Sequence, residues 1–227
     1  MWPLDKTTPA RGAFADHDFS QGEEIAHSIT HGLGVLGSIA GLVIMIVNAY
    51  PCHNARLMVG ISIFGASMVF LYISSTLYHA LTAKRAKRVF ELMDYGGIYF
   101  LIAGTYTPFA LSVLWGGWGW SSFGVVWGLA TLGIIYEVVM HRPWRKLSLA
   151  FYIVMGWLLV VTWYPLSKEL PFRALVLLAA GGFSYTGGAV FYAWRGFPYH
   201  HALWHIFVLL GTGFHFWCVL AYVIPAC

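Results

Sequence analysis

Seven apolar stretches, each long enough to cross a lipid bilayer, constrain the fold of this chain more than any other feature. A transmembrane helix needs about 20 mostly apolar residues. The stretches lie at 27–49, 57–81, 94–114, 119–140, 148–165, 173–193 and 202–224. Only 10% of the 227 residues are charged, whereas a soluble domain carries about 25%. We therefore predict an all-α, polytopic membrane protein that folds as a seven-transmembrane helix bundle.

The segments between the apolar stretches are short, so neighbouring helices are expected to run antiparallel in a single bundle. We assign residues 1–26 to a short cytoplasmic N-terminal tail and residues 27–227 to the seven-helix transmembrane domain. The tail contains several acidic residues and lacks the apolar core of a cleavable signal peptide. The first span is therefore expected to direct membrane insertion.

Basic residues between the spans predict the orientation of the chain. When the loops are assigned alternately to the two sides, ten of the 13 Lys and Arg residues fall on one side. These are Lys6, Arg11, Lys84, Arg85, Lys87, Arg88, Arg142, Arg145, Lys146 and Arg195. The other side receives Arg56, Lys168 and Arg173. Because cytoplasmic loops carry the excess of positive charge, we predict a cytoplasmic N-terminus and an extracytoplasmic C-terminus.

The net charge of +4 does not indicate nucleic-acid binding. The basic residues lie in loops between spans and form no stripe with interleaved aromatic residues, as a nucleic-acid groove would require. We expect membrane lipids to surround the chain and a lipid-like small molecule to be its substrate or ligand. The sequence leaves the oligomeric state open.

Five polar residues near the ends of three spans are candidates for a site, because unpaired polar groups are costly in lipid. Ser75 and His79 lie four residues apart at the end of the second span and share a helix face. Asp94 opens the third span, and His201 and His205 form a second i, i+4 pair at the start of the seventh. The alternation of the spans places all five at the same membrane depth, near the cytoplasmic face.

Three imidazoles with one open position are the ligand set of a catalytic zinc ion. Such an ion makes a bound water acidic enough to yield hydroxide near neutral pH. His79, His201 and His205 are therefore candidate Zn²⁺ ligands, with Asp94 and Ser75 as candidate catalytic residues. The simpler interpretation is that each histidine sits at the interface and bonds a headgroup, since H-x-x-x-H also arises by chance in a chain with ten histidines.

The sequence runs around these residues resemble a known family. SSTLYHA, ELMDYGGIYFLIAGTYTPF and HHALWHIF, together with EEIAHSITHGLG at the first span, are similar to the bacterial hemolysin III proteins. These belong with the adiponectin and progestin receptors and, more distantly, the alkaline ceramidases. The resemblance implies a seven-helix bundle in the bacterial cell (inner) membrane. It also implies zinc near the cytoplasmic face, with His79, His201 and His205 as ligands and Ser75 and Asp94 as supporting residues.

Other polar residues leave alternatives open. His27 and His31 form a third i, i+4 pair that could supply another metal ligand, although a supporting or packing role is favoured. Glu137 is expected to pair locally with His141 or Arg142, with a proton relay as the alternative. His215 lies about 15 Å beyond His205 along the seventh span, too deep for the same metal. Cys52 and Cys227 are assigned to the outer side and could form a disulfide.

Three functional hypotheses follow from the sequence and the resemblance. The leading one is a zinc-dependent hydrolase of a lipid-like substrate, with an amide, as in ceramidases, as the favoured class. The second is a non-enzymatic membrane sensor or regulator of lipid homeostasis in which zinc clamps helices together. The third, implied only by the family's name, is a pore-forming haemolysin. The apolar character of all faces of the spans argues against a wide water-filled pore.

Overall fold

The computed structural model describes residues 19–114, 116–140, 144–194 and 196–227. Its α-helices are α1 (Gln21–Ala49), α2 (Ala55–Ala80), α3 (Lys84–Pro108), α4 (Gly116–Val139), α5 (Arg145–Gly156), α6 (Leu159–Glu169), α7 (Phe172–Ala193) and α8 (His200–Cys218). Short 3-10 and π segments continue α1, α3 and α8. Because α5 and α6 together make the fifth span, seven elements within these described ranges are long and apolar enough to cross a membrane. The prediction of an all-α, seven-span bundle is confirmed.

The first helix begins at Gln21, six residues before the predicted start of the first span. Its N-cap is Ser20, which forms a capping box with Glu23. The box satisfies backbone donors that a helix start would otherwise leave unpaired. Glu23 also accepts a hydrogen bond of 3.0 Å from the backbone N–H of Tyr199, at the entrance of α8. This contact fixes the start of α1 beside the start of α8.

The third helix begins at Lys84, ten residues before the predicted start of the third span. The basic residues assigned to a loop, Lys84, Arg85, Lys87 and Arg88, therefore lie in its first turns. Lys and Arg are good helix formers, and their long side chains reach the interface from within a helix. Of the other basic residues predicted on that side, Lys6, Arg11, Arg142 and Arg195 lie outside the described residues.

Close contact between α2 and α3 brings the polar ends of these helices together. A Cβ added to Gly97 would lie 3.0 Å from Cδ1 and 3.3 Å from Cα of Leu71. A Cβ added to Gly60 would lie 2.9 Å from Cα of Pro108. Small residues at such contacts let two helix backbones approach closely. In lipid this close packing matters because helix association has no hydrophobic driving force.

A disulfide joins Cys52 and Cys227, whose Cα atoms are 5.6 Å apart. The bond ties the end of the first span to the end of the seventh. Both spans begin at the opposite end of the bundle, where Glu23 meets Tyr199. The first and last spans therefore run parallel and are connected to each other at both ends.

Candidate metal site

Three histidines from two helices converge at one end of the bundle, which we call the histidine end. His79 lies in the last turn of α2, and His201 and His205 lie one turn apart at the start of α8. One nitrogen from each ring lies within 4.8 Å of the other two. The exposed fractions of the three residues are only 4%, 8% and 1%. The predicted ligands therefore come together where little of their surface is accessible to solvent.

The first helix orients two of these imidazoles. Oε2 of Glu24 lies 2.6 Å from Nδ1 of His79, and Oγ1 of Thr30 lies 3.1 Å from Nδ1 of His205. Each contact occupies Nδ1 and leaves Nε2 as the ring nitrogen that can face a metal. Nε2 of His79 is buried and has no hydrogen-bond partner among the described residues. Metal-binding histidines commonly hold such a partner on the far nitrogen, so the donor set fits a metal ion.

Glu24 is a residue of the site that sequence reasoning missed. Its second oxygen, Oε1, accepts a hydrogen bond of 2.6 Å from Nζ of Lys87 on α3. One carboxylate thereby links α1, α2 and α3. A signal was present in the sequence, because Glu24, His27 and His31 follow the i, i+3, i+7 spacing of one helix face.

Asp94 and Ser75 lie next to each other beside the histidines. Asp94 neighbours the hydroxyl of Ser75 and is within electrostatic range of His79. Both residues are buried. Because α3 begins at Lys84, Asp94 stands about three turns inside its helix rather than at its end. The structure thus brings all five predicted residues together.

His27 and His31 also face the cluster, at two depths. The ring centre of His27 is 4.7 Å from that of His79 and 4.8 Å from that of His201. Glu24, His27 and His79 form a second group whose potential ligand atoms lie within 4.8 Å of one another. His31 lies one turn deeper and stacks on His205 with ring centres 3.5 Å apart.

Two other histidines of α8 point away from the cluster. Nδ1 of His200 lies 3.2 Å from the carbonyl oxygen of Phe191 on α7. Nε2 of His215 lies 3.2 Å from the carbonyl oxygen of Leu178, also on α7. Both rings connect α8 to the backbone of α7. The interpretation of His215 as too deep for the metal agrees with this placement.

Glu137 has a hydrogen-bond partner on the next helix. Its carboxylate accepts a hydrogen bond of 2.5 Å from Oγ of Ser148 on α5, and the residue is buried. The expected partners His141 and Arg142 lie outside the described residues. Glu137 therefore connects α4 to α5 and lies apart from the histidine cluster.

An apolar cavity of about 100 Å³ lies deeper in the bundle than the cluster. Its wall includes Leu71, one turn from Ser75 on α2, and Ile98, one turn from Asp94 on α3. Trp204 and Val208 line it from α8, on either side of His205 in the sequence. The few polar groups in the wall include Thr105, Tyr185 and His215. The cavity can hold an apolar chain with one end close to the histidines.

Comparison with known proteins assigns the family. Residues 19–216 match the family model described as Haemolysin-III related. This chain belongs to the haemolysin III family. It is 44% identical to Hemolysin-3 of Bacillus cereus over 203 residues, covering 89% of this chain and 93% of the relative. It is 45% identical to a Hemolysin-3 homolog of Bacillus subtilis (strain 168) over 206 residues, covering 91% and 97%.

A weaker likeness extends beyond bacteria. The haemolysin III chain is 28% identical to the human Monocyte to macrophage differentiation factor over 232 residues, covering 97% of this chain and 91% of the human protein. No solved structure matches at a significant level. The resemblance drawn from the sequence runs is thus confirmed. The Bacillus relatives and the seven spans identify a multi-pass bacterial membrane protein.

Proposed function

We propose that this haemolysin III protein is a zinc-dependent hydrolase of lipid amides. The observation that carries the proposal is the convergence of His79, His201 and His205 beside Asp94. An apolar cavity whose wall begins about one helical turn away on α2, α3 and α8 adds to it. Zinc held by the three imidazoles would supply the Lewis acid that activates water. The surrounding side chains supply orientation, proton transfer and substrate binding.

Each polar neighbour has a role that follows from its position. Glu24 and Thr30 hold the rings of His79 and His205 with Nε2 directed toward the ion. Asp94 accepts the proton of the attacking water and passes it to the leaving amine. The hydroxyl of Ser75 donates a hydrogen bond to the oxygen of the substrate carbonyl as negative charge develops there.

The cavity favours a substrate with an acyl chain. An amide carbonyl at the histidines would place the chain along Leu71, Ile98 and Val208, where the wall is apolar. The gain there comes from packing of the chain against these side chains, because a chain that arrives from the bilayer is already out of water. Charged head groups would remain at the histidine end, where Lys87 and Glu24 lie.

Hydrolysis is tested with purified zinc-loaded protein and a panel of acyl amides and acyl esters, including ceramides, with released fatty acid as the readout. We expect release from at least one long-chain amide. We expect Asp94→Asn to lower the rate on the order of 100-fold or more while zinc content stays unchanged, because the loss of a general base has an effect of that size. No release from any substrate by protein with stoichiometric zinc would contradict the proposal.

A second candidate is a membrane sensor or regulator in which zinc clamps α2 to α8. The observation in its favour is the burial of the three histidines, whose exposed fractions do not exceed 8%. Asp94→Ala separates the two functions. If the protein is an enzyme, the variant should retain its metal and lose turnover. If the protein is a sensor with a structural zinc, the variant should retain both its fold and its response to lipid.

A further inference from the structure

Four imidazoles, rather than three, surround one point at the histidine end. The ring centre of His27 lies 4.7 Å, 4.8 Å and 5.5 Å from those of His79, His201 and His205. The other three separations are 5.2 Å, 5.3 Å and 4.6 Å. Each ring is therefore about equally distant from the other three, as the corners of a tetrahedron are.

These separations match those of a four-histidine metal site. Zinc binds imidazole nitrogen at about 2.0–2.1 Å in tetrahedral geometry, which places the ring centres of four bound imidazoles about 5.2 Å apart. The six separations observed range from 4.6 Å to 5.5 Å. One nitrogen from each of His79, His201 and His205 already lies within 4.8 Å of the other two, whereas His27 meets that limit with Glu24 and His79, so the ring of His27 must turn to aim a nitrogen at the shared ion.

The surroundings of His27 provide a second, independent observation. The residue is 0% exposed, and neither of its ring nitrogens has a hydrogen-bond partner among the described residues. The nearest carboxylate oxygen, Oε2 of Glu24, is 4.0 Å from its Nδ1 and already contacts His79. A buried imidazole that leaves both nitrogens unpaired loses free energy unless a ligand satisfies one of them.

We propose that His27 is the fourth protein ligand of the metal held by His79, His201 and His205. The resting site is then closed by four imidazoles. The ring of Phe19 covers it, with ring centres 4.6 Å from His27 and 5.3 Å from His201. The inference rests on the proposed function in one respect: for hydrolysis, the carbonyl oxygen of the substrate or the attacking water takes the place of His27.

A separate second ion bound by Glu24, His27 and His79 is the competing arrangement, since these three also form a possible ligand group. The ammonium of Lys87 lies 2.6 Å from Oε1 of Glu24 and already neutralises that carboxylate. It would also repel a second cation at the same place. A single ion with four histidine ligands is therefore favoured.

The test counts imidazoles around zinc by X-ray absorption spectroscopy and measures zinc affinity by competition with a chelator. We expect one zinc per chain with four imidazoles in the wild type, and three imidazoles plus an oxygen donor such as water in His27→Asn. Zinc affinity is expected to fall on the order of 100-fold in that variant. The estimate assumes that each of four ligands contributes about a quarter of the binding free energy of a structural zinc site. His200→Asn is the control, because His200 is also buried at this end of the bundle but lies against the carbonyl oxygen of Phe191, and it should keep four imidazoles.

Two outcomes would overturn the proposal. The first is a wild-type zinc site with only three imidazoles, together with an unchanged zinc affinity in His27→Asn. The other is two zinc ions per wild-type chain and one in the variant, which would establish the separate second ion. If His27→Asn fails to fold, a hydroxamate is added to the wild-type protein instead. This ligand should displace His27 from the zinc, and the number of bound imidazoles should drop from four to three. Absence of turnover with four imidazoles present would reject the hydrolase while leaving this inference intact.

Discussion

The carboxylate of Glu24 and the imidazole of His79 meet at 2.6 Å, between Oε2 on α1 and Nδ1 on α2. This contact makes the first helix part of the metal site, although none of the three predicted ligands lies on it. A carboxylate on the far nitrogen fixes the tautomer and raises the basicity of a metal-binding histidine. The orientation of His79 therefore depends on how α1 packs against α2.

Replacement of Glu24 by Gln should weaken zinc binding about 10- to 100-fold, the usual effect of losing such a partner. An amide at this position cannot stabilise charge on the imidazole, and it also loses the ion pair with Lys87. Competition titration with a chelator measures the change. Glu23→Gln is the matched control, because Glu23 contacts Ser20 and Tyr199 instead of a histidine ring. Equal zinc affinity in both variants would show that the contact does not support the metal.

Replacement of His79 by Ala should abolish stoichiometric metal binding. The variant loses the only predicted ligand that comes from α2 and leaves the carboxylate of Glu24 without its imidazole partner. Metal content by mass spectrometry is the measurement, with His200→Ala as the control because His200 binds the carbonyl of Phe191. The same metal content in wild type and His79→Ala would refute the assignment of the site.

The fold was predictable from the sequence because a span depends on local composition alone. The depth of Asp94 was not, since the basic and apolar residues of 84–93 form a helix that a count of apolar residues does not detect. The role of Glu24 was missed for another reason. Its partners His79 and Lys87 lie 55 and 63 residues away, and only the packing of α1 against α2 and α3 identifies them.

A larger side chain in the cavity should slow the hydrolysis of long-chain amides more than that of short-chain amides. Ala189 lines the cavity and is 6% exposed, so Ala189→Phe would occupy space that an acyl chain needs. The kcat/KM for a palmitoyl amide should fall on the order of tenfold more than that for a butyryl amide, because the phenyl ring would occupy space that only the longer chain reaches. Val190→Phe is the control, because Val190 lies next to Ala189 on α7 and is 56% exposed on the outside of the bundle. An equal loss for both substrates would indicate that the chain binds elsewhere.

The disulfide provides a test of orientation. The excess of basic residues predicts that the histidine end faces the cytoplasm, and the disulfide between Cys52 and Cys227 lies at the opposite end. Disulfides persist in oxidising surroundings and are rare in the cytosol, so a cytoplasmic N-terminus predicts that this bond forms on the outer side of the membrane. In intact cells, a membrane-impermeant reductant followed by an impermeant maleimide should label the chain, and Cys52→Ser combined with Cys227→Ser should remove the signal.

A cysteine at the other end completes this orientation test. Thr82 is exposed in the short connection between α2 and α3. In a chain that lacks Cys52 and Cys227, Thr82→Cys should react with the impermeant maleimide only after the membrane is permeabilised. Cys218 is buried and should not contribute in either case. Labelling of Thr82→Cys in intact cells would place the histidine end outside the cell, and any substrate head group or metal would then reach the site from that side.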